Sequence, residues 1–246
     1  MILERILKNF YLVKLTSSNR YLRPFCIGVI IIFCLSVLVF LVSPVQYLLE
    51  IYTSKHHFFR LTKVQVEEVL SGKRLCRSVT ICPLQPGDIL LRRYITPKTK
   101  DFDRYLHPYF THSAFYLGEG EIVEAVGTEK RKEDEILVEN ISETDWKDRA
   151  IEKLVVIRPH YTKGVLNRIK TNLVSIASDP EYRFGLPKAG NKMTTCADLI
   201  FKQLYLQRII PTSTQPKIIT PDYLFWTLIK NTNDFETINY TSISEK

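Results

Sequence analysis

Hydrophobic and polar residues alternate at strand spacing in several short segments of the C-terminal two-thirds of the chain. Turn residues precede an apolar run that starts at Ile89 and predicts a strand. Two further apolar segments, 111–117 and 121–126, flank a glycine-rich turn and predict a hairpin, and residues 153–158 predict one more strand. Together these segments predict a small antiparallel sheet.

Helical spacing of apolar residues is present in three other segments, 165–177, 196–206 and 221–228. The second of these follows two threonines, and threonine is a common helix N-cap. The acidic stretch 128–150 and the stretch 182–193 are predicted to be loops. The sum predicts an α+β fold in which helices pack on a small antiparallel sheet.

One apolar run differs from all of these in length. Residues 24–49 contain no charged residue, and the run from Phe25 to Val42 would form about 27 Å of helix. The hydrophobic region of a cleaved signal peptide is usually about 7–15 residues long and ends at a small-residue cleavage site, which is not evident here. We therefore predict one uncleaved transmembrane helix over residues 25–45.

This span divides the chain into five predicted parts. A basic segment, 1–24, precedes the transmembrane helix at 25–45, and a helical stalk or linker, 46–82, follows it. The main domain is predicted at 83–230. The polar residues 231–246 are predicted to form a flexible tail.

Positive charge is concentrated on both sides of the span. The formal net charge is +8, to which residues 1–24 contribute +4, residues 50–100 contribute +6, residues 101–150 contribute −7 and residues 151–246 contribute +5. Because cytoplasmic flanks usually carry excess Lys and Arg, we predict a cytoplasmic N-terminus and a main domain outside the cytoplasm, in the periplasm. Basic flanks also favour anionic membrane lipids as partners. No helix-turn-helix, zinc-finger or aromatic-basic strand motif is present, so we expect no nucleic-acid partner.

The five cysteines fall into three groups. Cys26 and Cys34 lie within the predicted span, where cysteine is an ordinary apolar residue. Cys76 and Cys82 are close enough in sequence to pair in an oxidising compartment, and Cys196 is left over. Neither the cysteines nor the scattered histidines have metal-ligand spacing, so we expect no metal and no cofactor. These histidines are His56, His57, His107 and His160.

Cys196, His112 and Glu124 are the candidate reactive residues. Cys196 stands in the first turn of a predicted helix, where the helix dipole favours a thiolate, although an isolated cysteine on an apolar face is more often a core residue. In the predicted hairpin, a three-residue turn centred on Glu119 pairs residues whose numbers sum to 238. Glu124 then faces Ala114, with His112 as its diagonal neighbour on the same face. A two-residue turn would place Glu124 on the opposite face.

Four motifs occur in a fixed order along the chain: Leu84–Leu91, Thr111–Gly118, Ile122–Ala125 and Thr195–Ile200. This order resembles that of the circularly permuted papain-like enzymes of the YaeF/YiiX type, relatives of the NlpC-type cell-wall peptidases, in which the His strand precedes the Cys helix. In that group, a segment with aromatic residues and a glycine precedes the Cys helix near the active site, and Tyr182–Gly185 resembles this segment.

The resemblance extends over roughly residues 83–228 and implies a permuted papain-like fold. It also implies that Cys196 is the nucleophile, His112 the general base and Glu124 the residue that orients the base. Asp198 departs from the pattern, since Glu is often expected two positions after the Cys, and we assign it no catalytic role.

The function predicted from these residues is a membrane-anchored thiol hydrolase, an amidase or peptidase that acts on cell-wall peptide or a lipid-linked amide through an acyl-enzyme intermediate. Tyr116 and Tyr182 are candidate substrate-binding residues, and core positions are an equal alternative for both. A second hypothesis is a lipid acyltransferase or lipase of the lecithin–retinol acyltransferase kind, whose members tend to carry a second His in place of Glu124. A third is a non-catalytic module that binds lipid or peptidoglycan.

Overall fold

The computed structural model describes residues between 59 and 240 of the chain. The described ranges are 59–78, 81–94, 108–127, 135–147, 151–186, 190–210, 218–230 and 235–240. No helix within these ranges has the length and apolar character needed to cross a membrane. The predicted transmembrane helix, 25–45, the basic segment before it and residues 241–246 of the predicted tail lie outside them.

Strands and helices of the described ranges follow one another in mixed order. The strands are β1 Arg74–Cys76, β2 Ile89–Tyr94, β3 His112–Gly118, β4 Glu121–Val126, β5 Glu135–Asn140, β6 Ile151–Pro159, β7 Arg183–Phe184, β8 Met193–Thr194 and β9 Phe235–Tyr240. The α-helices are α1 Lys63–Leu70, α2 Lys163–Ser178, α3 Cys196–Leu206 and α4 Pro221–Lys230. Two short 3-10 turns, Ile141–Glu143 and Asp145–Lys147, lie between β5 and β6.

Seven of these strands form one mixed sheet in the order β1-β9-β6-β2-β3-β4-β5. The β1–β9 pair is parallel and the other neighbouring pairs are antiparallel. A separate parallel pair, β7 and β8, precedes the Cys196 helix. The predicted α+β class is therefore confirmed, but the sheet is mixed and larger than predicted.

Two strands of the sheet lie in segments that were predicted to be irregular. Strand β5 lies in the acidic stretch 128–150, and as an edge strand it needs only a few apolar residues, such as the buried Ile136. Strand β9 lies in the predicted flexible tail, yet it pairs with both β1 and β6 and buries Ile238 and Tyr240. Long-range pairing stabilises both strands, and local composition does not reveal such pairing.

The segment predicted as a helical stalk or linker also belongs to the folded unit in its described part. Helix α1 has only eight residues and begins after Thr62, whose side chain and that of Gln65 form a capping box. Leu61, Val66 and Leu70 are buried in the main core, and β1 joins the sheet at its edge. The segment packs against the domain because the apolar side chains of α1 are buried in the main core.

Asp222, at the start of α4, connects the segment before α1 to the rest of the domain. Its carboxylate accepts hydrogen bonds from the backbone N–H groups of Leu61 at 2.9 Å, Tyr109 at 2.8 Å and Phe110 at 2.8 Å. The side chain is fully buried. Three separate pieces of chain therefore meet at one carboxylate.

The sheet has an apolar core on each face. The core on the helix-covered face includes Ile89, Leu91, Phe115, Val123, Leu199 and Phe225. The core on the opposite face includes Leu90, Ala114, Ile122, Trp146, Leu154 and Tyr240. Cys76 and Cys82 also lie in this second core and form a disulfide with Cα atoms 6.0 Å apart, a pairing that the sequence had left open.

Candidate active site

The register of the β3–β4 hairpin determines where Glu124 points. Phe115 pairs with Val123 and Tyr116 with Ile122, so the residue numbers sum to 238, as predicted from a three-residue turn. The register shifts only next to the turn, where Glu119 has a φ of 54°. Continued away from the turn, this pairing sets Glu124 opposite Ala114 and on the face that carries His112.

His112 and Glu124 form a direct hydrogen-bonded pair. The Nε2 atom of His112 lies 2.7 Å from Oε2 of Glu124. Because Glu124 is only 3% exposed, its carboxylate has little contact with water and depends on protein donors. Its Oε2 atom also accepts a hydrogen bond from the indole N–H of Trp146 at 2.8 Å. Because Nε2 is engaged by Glu124, Nδ1 is the ring nitrogen of His112 that is available to exchange a proton with the Cys196 sulfur.

Cys196 is the first residue of helix α3. Thr195 is the N-cap, and its hydroxyl accepts a hydrogen bond from the Asp198 N–H at 3.2 Å. The Thr194 hydroxyl donates to the Asp198 carboxylate at 3.0 Å, and the Gly185 N–H donates to the Thr194 carbonyl at 3.0 Å. Asp198 thus holds the turn that carries Cys196. The N–H groups of a first helical turn have no intrahelical acceptor, so that of Cys196 faces outward from the helix end.

The charges of the three residues depend on one another. Burial alone would lower the pKa of His112, but the Cys196 thiolate and the Glu124 carboxylate outweigh it and raise that pKa to about 9. Burial alone would raise the pKa of Cys196, but the charge of His112 and a hydrogen bond from it lower the pKa below the ordinary thiol value. In the same way, His112 lowers the pKa of Glu124 against the effect of burial. Each of the three shifts therefore favours the ionised form of its group: thiolate, imidazolium and carboxylate.

Ser113 is a further neighbour of Cys196 that the sequence did not single out. Its hydroxyl and its backbone N–H both contribute to the lowered pKa of Cys196. The hydroxyl is fully buried and makes no hydrogen bond of ordinary geometry within the described ranges. Strand alternation directs Ser113 to the helix-covered face, whereas His112 is the first residue of the strand and its charge acts on Cys196.

Trp146 and Arg92 are two other residues that the sequence reasoning missed. Trp146 lies in the stretch that was predicted to be a loop, and no sequence signal marked it. Arg92 ends the buried run that starts at Ile89, and a charged residue at that place in a buried strand was an available signal. The Trp146 ring packs near His112, with ring centroids 5.7 Å apart.

The two predicted substrate-binding tyrosines are placed differently. Tyr116 is buried, and its hydroxyl accepts a hydrogen bond from the Gly120 N–H at 2.9 Å, which stabilises the hairpin turn. It stands four residues along the strand from His112, or about 13 Å. Tyr182 is half-buried just before β7, with the Lys192 ammonium 5.5 Å from its ring centroid.

Within the described ranges, no group of three or more His, Cys, Asp or Glu side chains is arranged to hold a metal. No protein-family model matches the chain, and no curated protein matches its sequence. What the chain does is therefore inferred from the geometry around Cys196, His112 and Glu124.

Proposed function

We propose that this chain is a membrane-anchored thiol hydrolase with Cys196 as nucleophile, His112 as general base and acid, and Glu124 as the residue that orients His112. The observation that carries the proposal is the convergence of these three side chains. His112 lies 2.7 Å from Glu124 and acts on the sulfur of Cys196 by charge and hydrogen bonding. A core role for the three residues would not require them to meet.

The first half of the reaction forms an acyl-enzyme. The thiolate of Cys196 attacks the carbonyl carbon of an amide, a carbon–sulfur bond forms, and the carbonyl electrons move to the oxygen. The N–H of Cys196 at the helix start is suited to hold this oxyanion. The oxyanion then collapses, the carbon–nitrogen bond breaks, and the imidazolium of His112 gives its proton to the leaving amine.

The second half releases the acid and restores the thiolate. His112, now neutral, takes a proton from water while the water oxygen attacks the thioester carbon. The carbon–sulfur bond breaks and its electrons return to the sulfur. Glu124 holds the ring in one orientation and one tautomer through both halves, because its carboxylate accepts from Nε2–H.

We propose that the domain belongs to the permuted papain-like class, and the order of its elements supports this proposal. The His strand precedes the Cys helix along the chain, and the first residue of that helix lies near the start of the strand. The substrate proposed from this class is an amide in cell-wall peptide or in a lipid-linked molecule. The disulfide between Cys76 and Cys82 favours an oxidising compartment, in agreement with a domain on the outer side of a membrane.

The decisive experiment treats the full chain in detergent with an alkyne-tagged iodoacetamide and then with a substrate panel. The panel contains peptidoglycan stem peptides, N-acyl amides and, for the acyltransferase or lipase alternative, phospholipid esters. We expect labelling at Cys196, amide cleavage, and loss of both in Cys196→Ala. Cleavage of esters alone would favour the lipase alternative, and full amide cleavage by Cys196→Ala would refute the proposal.

A further inference from the structure

Arg92 is a buried cation on the strand next to His112. It is the direct cross-strand partner of His112 in the β2–β3 pair, and its side chain is 1% exposed. Directly paired residues of an antiparallel sheet project to the same face, with Cβ atoms about 4.5–5.5 Å apart. The guanidinium therefore lies on the side of the sheet that carries the His112–Glu124 pair.

Three side chains hold this guanidinium in place. Its central carbon lies 4.3 Å from the ring centroid of Trp146 and 5.0 Å from that of Tyr94. Its Nη1 donates to the carboxylate of Asp145, whose other oxygen accepts from the Tyr94 hydroxyl at 2.6 Å. Since Trp146 also donates to Glu124, the same group of side chains supports both the cation and the carboxylate.

Packing alone gives no reason for a charge at this position. A buried guanidinium loses hydration, and an apolar side chain of similar size is often as stabilising or more so. The Nε atom of Arg92 has no hydrogen-bond partner within the described ranges. A fixed charge in a buried site does, however, act strongly on ionisable neighbours.

The charged groups around His112 come from several elements. The Cys196 thiolate on α3 and Glu124 on β4 favour the imidazolium, whereas Arg92 on β2 opposes it. Glu139 on β5 and Arg92 on β2 also lower the pKa of Glu124 and so favour its ionised form. If no cation opposed these two anions, the imidazolium would be a weaker acid and would protonate a leaving amine less readily.

We propose that Arg92 is a positioning residue of this site: fixed by Trp146, Tyr94 and Asp145, its charge keeps Glu124 ionised and limits how strongly the neighbouring anions retain the proton on His112. This role rests on the hydrolase function proposed above. Arg92 touches neither the sulfur nor the substrate in this role and acts through the other two side chains.

The test measures the rate at which iodoacetate alkylates Cys196 in the full chain as a function of pH, with detection of the Cys196 peptide by mass spectrometry. The rate rises as the thiolate forms. It falls when His112 loses its proton, because the imidazolium attracts this anionic reagent. The falling limb therefore reports the pKa of His112, and no substrate is needed.

Two variants should move this limb in opposite directions. Arg92→Met removes the opposing charge, so the limb should move to higher pH by about one unit. Asp145→Asn keeps the shape of the side chain but removes the negative charge that partly neutralises Arg92. The Arg92 charge then opposes the imidazolium more strongly, so the falling limb should move to lower pH. Arg158→Met is the matched control: it removes another buried pair, in which Arg158 contacts Asp88 at 2.8 and 2.9 Å, away from His112.

The outcomes separate this inference from the hydrolase proposal. Opposite shifts in the two variants, with none in Arg158→Met, support the inference. No shift, or shifts in one direction for both variants, overturn it while the hydrolase proposal stands. If Arg92→Met does not fold, Asp145→Asn alone decides by the same criterion. A wild-type profile without a depressed thiol pKa overturns the hydrolase proposal and the role of Arg92 with it.

Discussion

His112 and Glu124 are twelve positions apart, yet Nε2 of one lies 2.7 Å from Oε2 of the other. The hairpin brings them together, and the Trp146 indole holds the same carboxylate oxygen from a different segment at 2.8 Å. His112 therefore has its orientation determined before any substrate binds. Such preorganisation is what a general base requires.

Loss of the Glu124 charge should impair hydrolysis more than stability. In Glu124→Gln the amide cannot accept fully from both His112 and Trp146, so the imidazolium is less stable and less well oriented. We expect kcat/KM to fall roughly a hundredfold, within the range of general acid–base effects. Glu121→Gln, an exposed change on the same strand, is the control. Equal activity of the two variants would show that Glu124 has no orienting role.

The pH dependence of hydrolysis should have a basic limit set by His112. Its pKa is raised to about 9, so the imidazolium that protonates the leaving group is lost only above that pH. We expect kcat/KM to fall above about pH 9, whereas the sulfur remains a thiolate there. A profile that still rises at pH 10 would contradict His112 as the acid.

The Ser113 hydroxyl should stabilise the thiolate. Ser113→Ala removes a donor that lowers the pKa of Cys196, so that pKa should rise by about one unit. The rising limb of Cys196 alkylation with neutral iodoacetamide measures this. Ser178→Ala, whose hydroxyl donates to the Val174 carbonyl at 2.9 Å on the surface, is the control. An unchanged limb in Ser113→Ala would mean that the hydroxyl does not act on the sulfur.

Asp222 should be among the most important side chains for stability. Asp222→Ala leaves the N–H groups of Leu61, Tyr109 and Phe110 without their acceptor, which should lower the free energy of unfolding by about 3–5 kcal/mol. Urea unfolding followed by tryptophan fluorescence measures this. Asp179→Ala, at a partly exposed position, should cost about 1 kcal/mol or less. Similar losses in both variants would contradict the anchoring role.

The disulfide between Cys76 and Cys82 should contribute modestly to stability because it closes a short loop. The loop-entropy relation gives about 2 kcal/mol for its seven residues, 76 to 82. Reduction should lower the free energy of unfolding of the wild type by that amount and leave a Cys76→Ala/Cys82→Ala variant unaffected. A reductant effect of equal size in the double variant would assign the loss to another cause.

Local patterns were sufficient for the elements whose own residues specify them. Alternating apolar residues predicted β3 and β4, and two threonines predicted the helix start at Cys196. In these cases the signal lies within a few residues of the feature, so the sequence alone determines it. The glycine-rich turn was compatible with two registers, and the folded hairpin adopts the one that sets Glu124 on the face of His112.

Other features depended on partners that are distant in sequence. Strand β9 has a polar neighbourhood and becomes a strand only because β1 and β6 pair with it. Arg92 reaches Asp145 across 53 positions, and Trp146 reaches Glu124 across 22. The sequence alone determined the α+β class and the three candidate residues. The tertiary structure decided what surrounds them, because the free energy of a buried charge or an edge strand depends on neighbours that only the folded chain assembles.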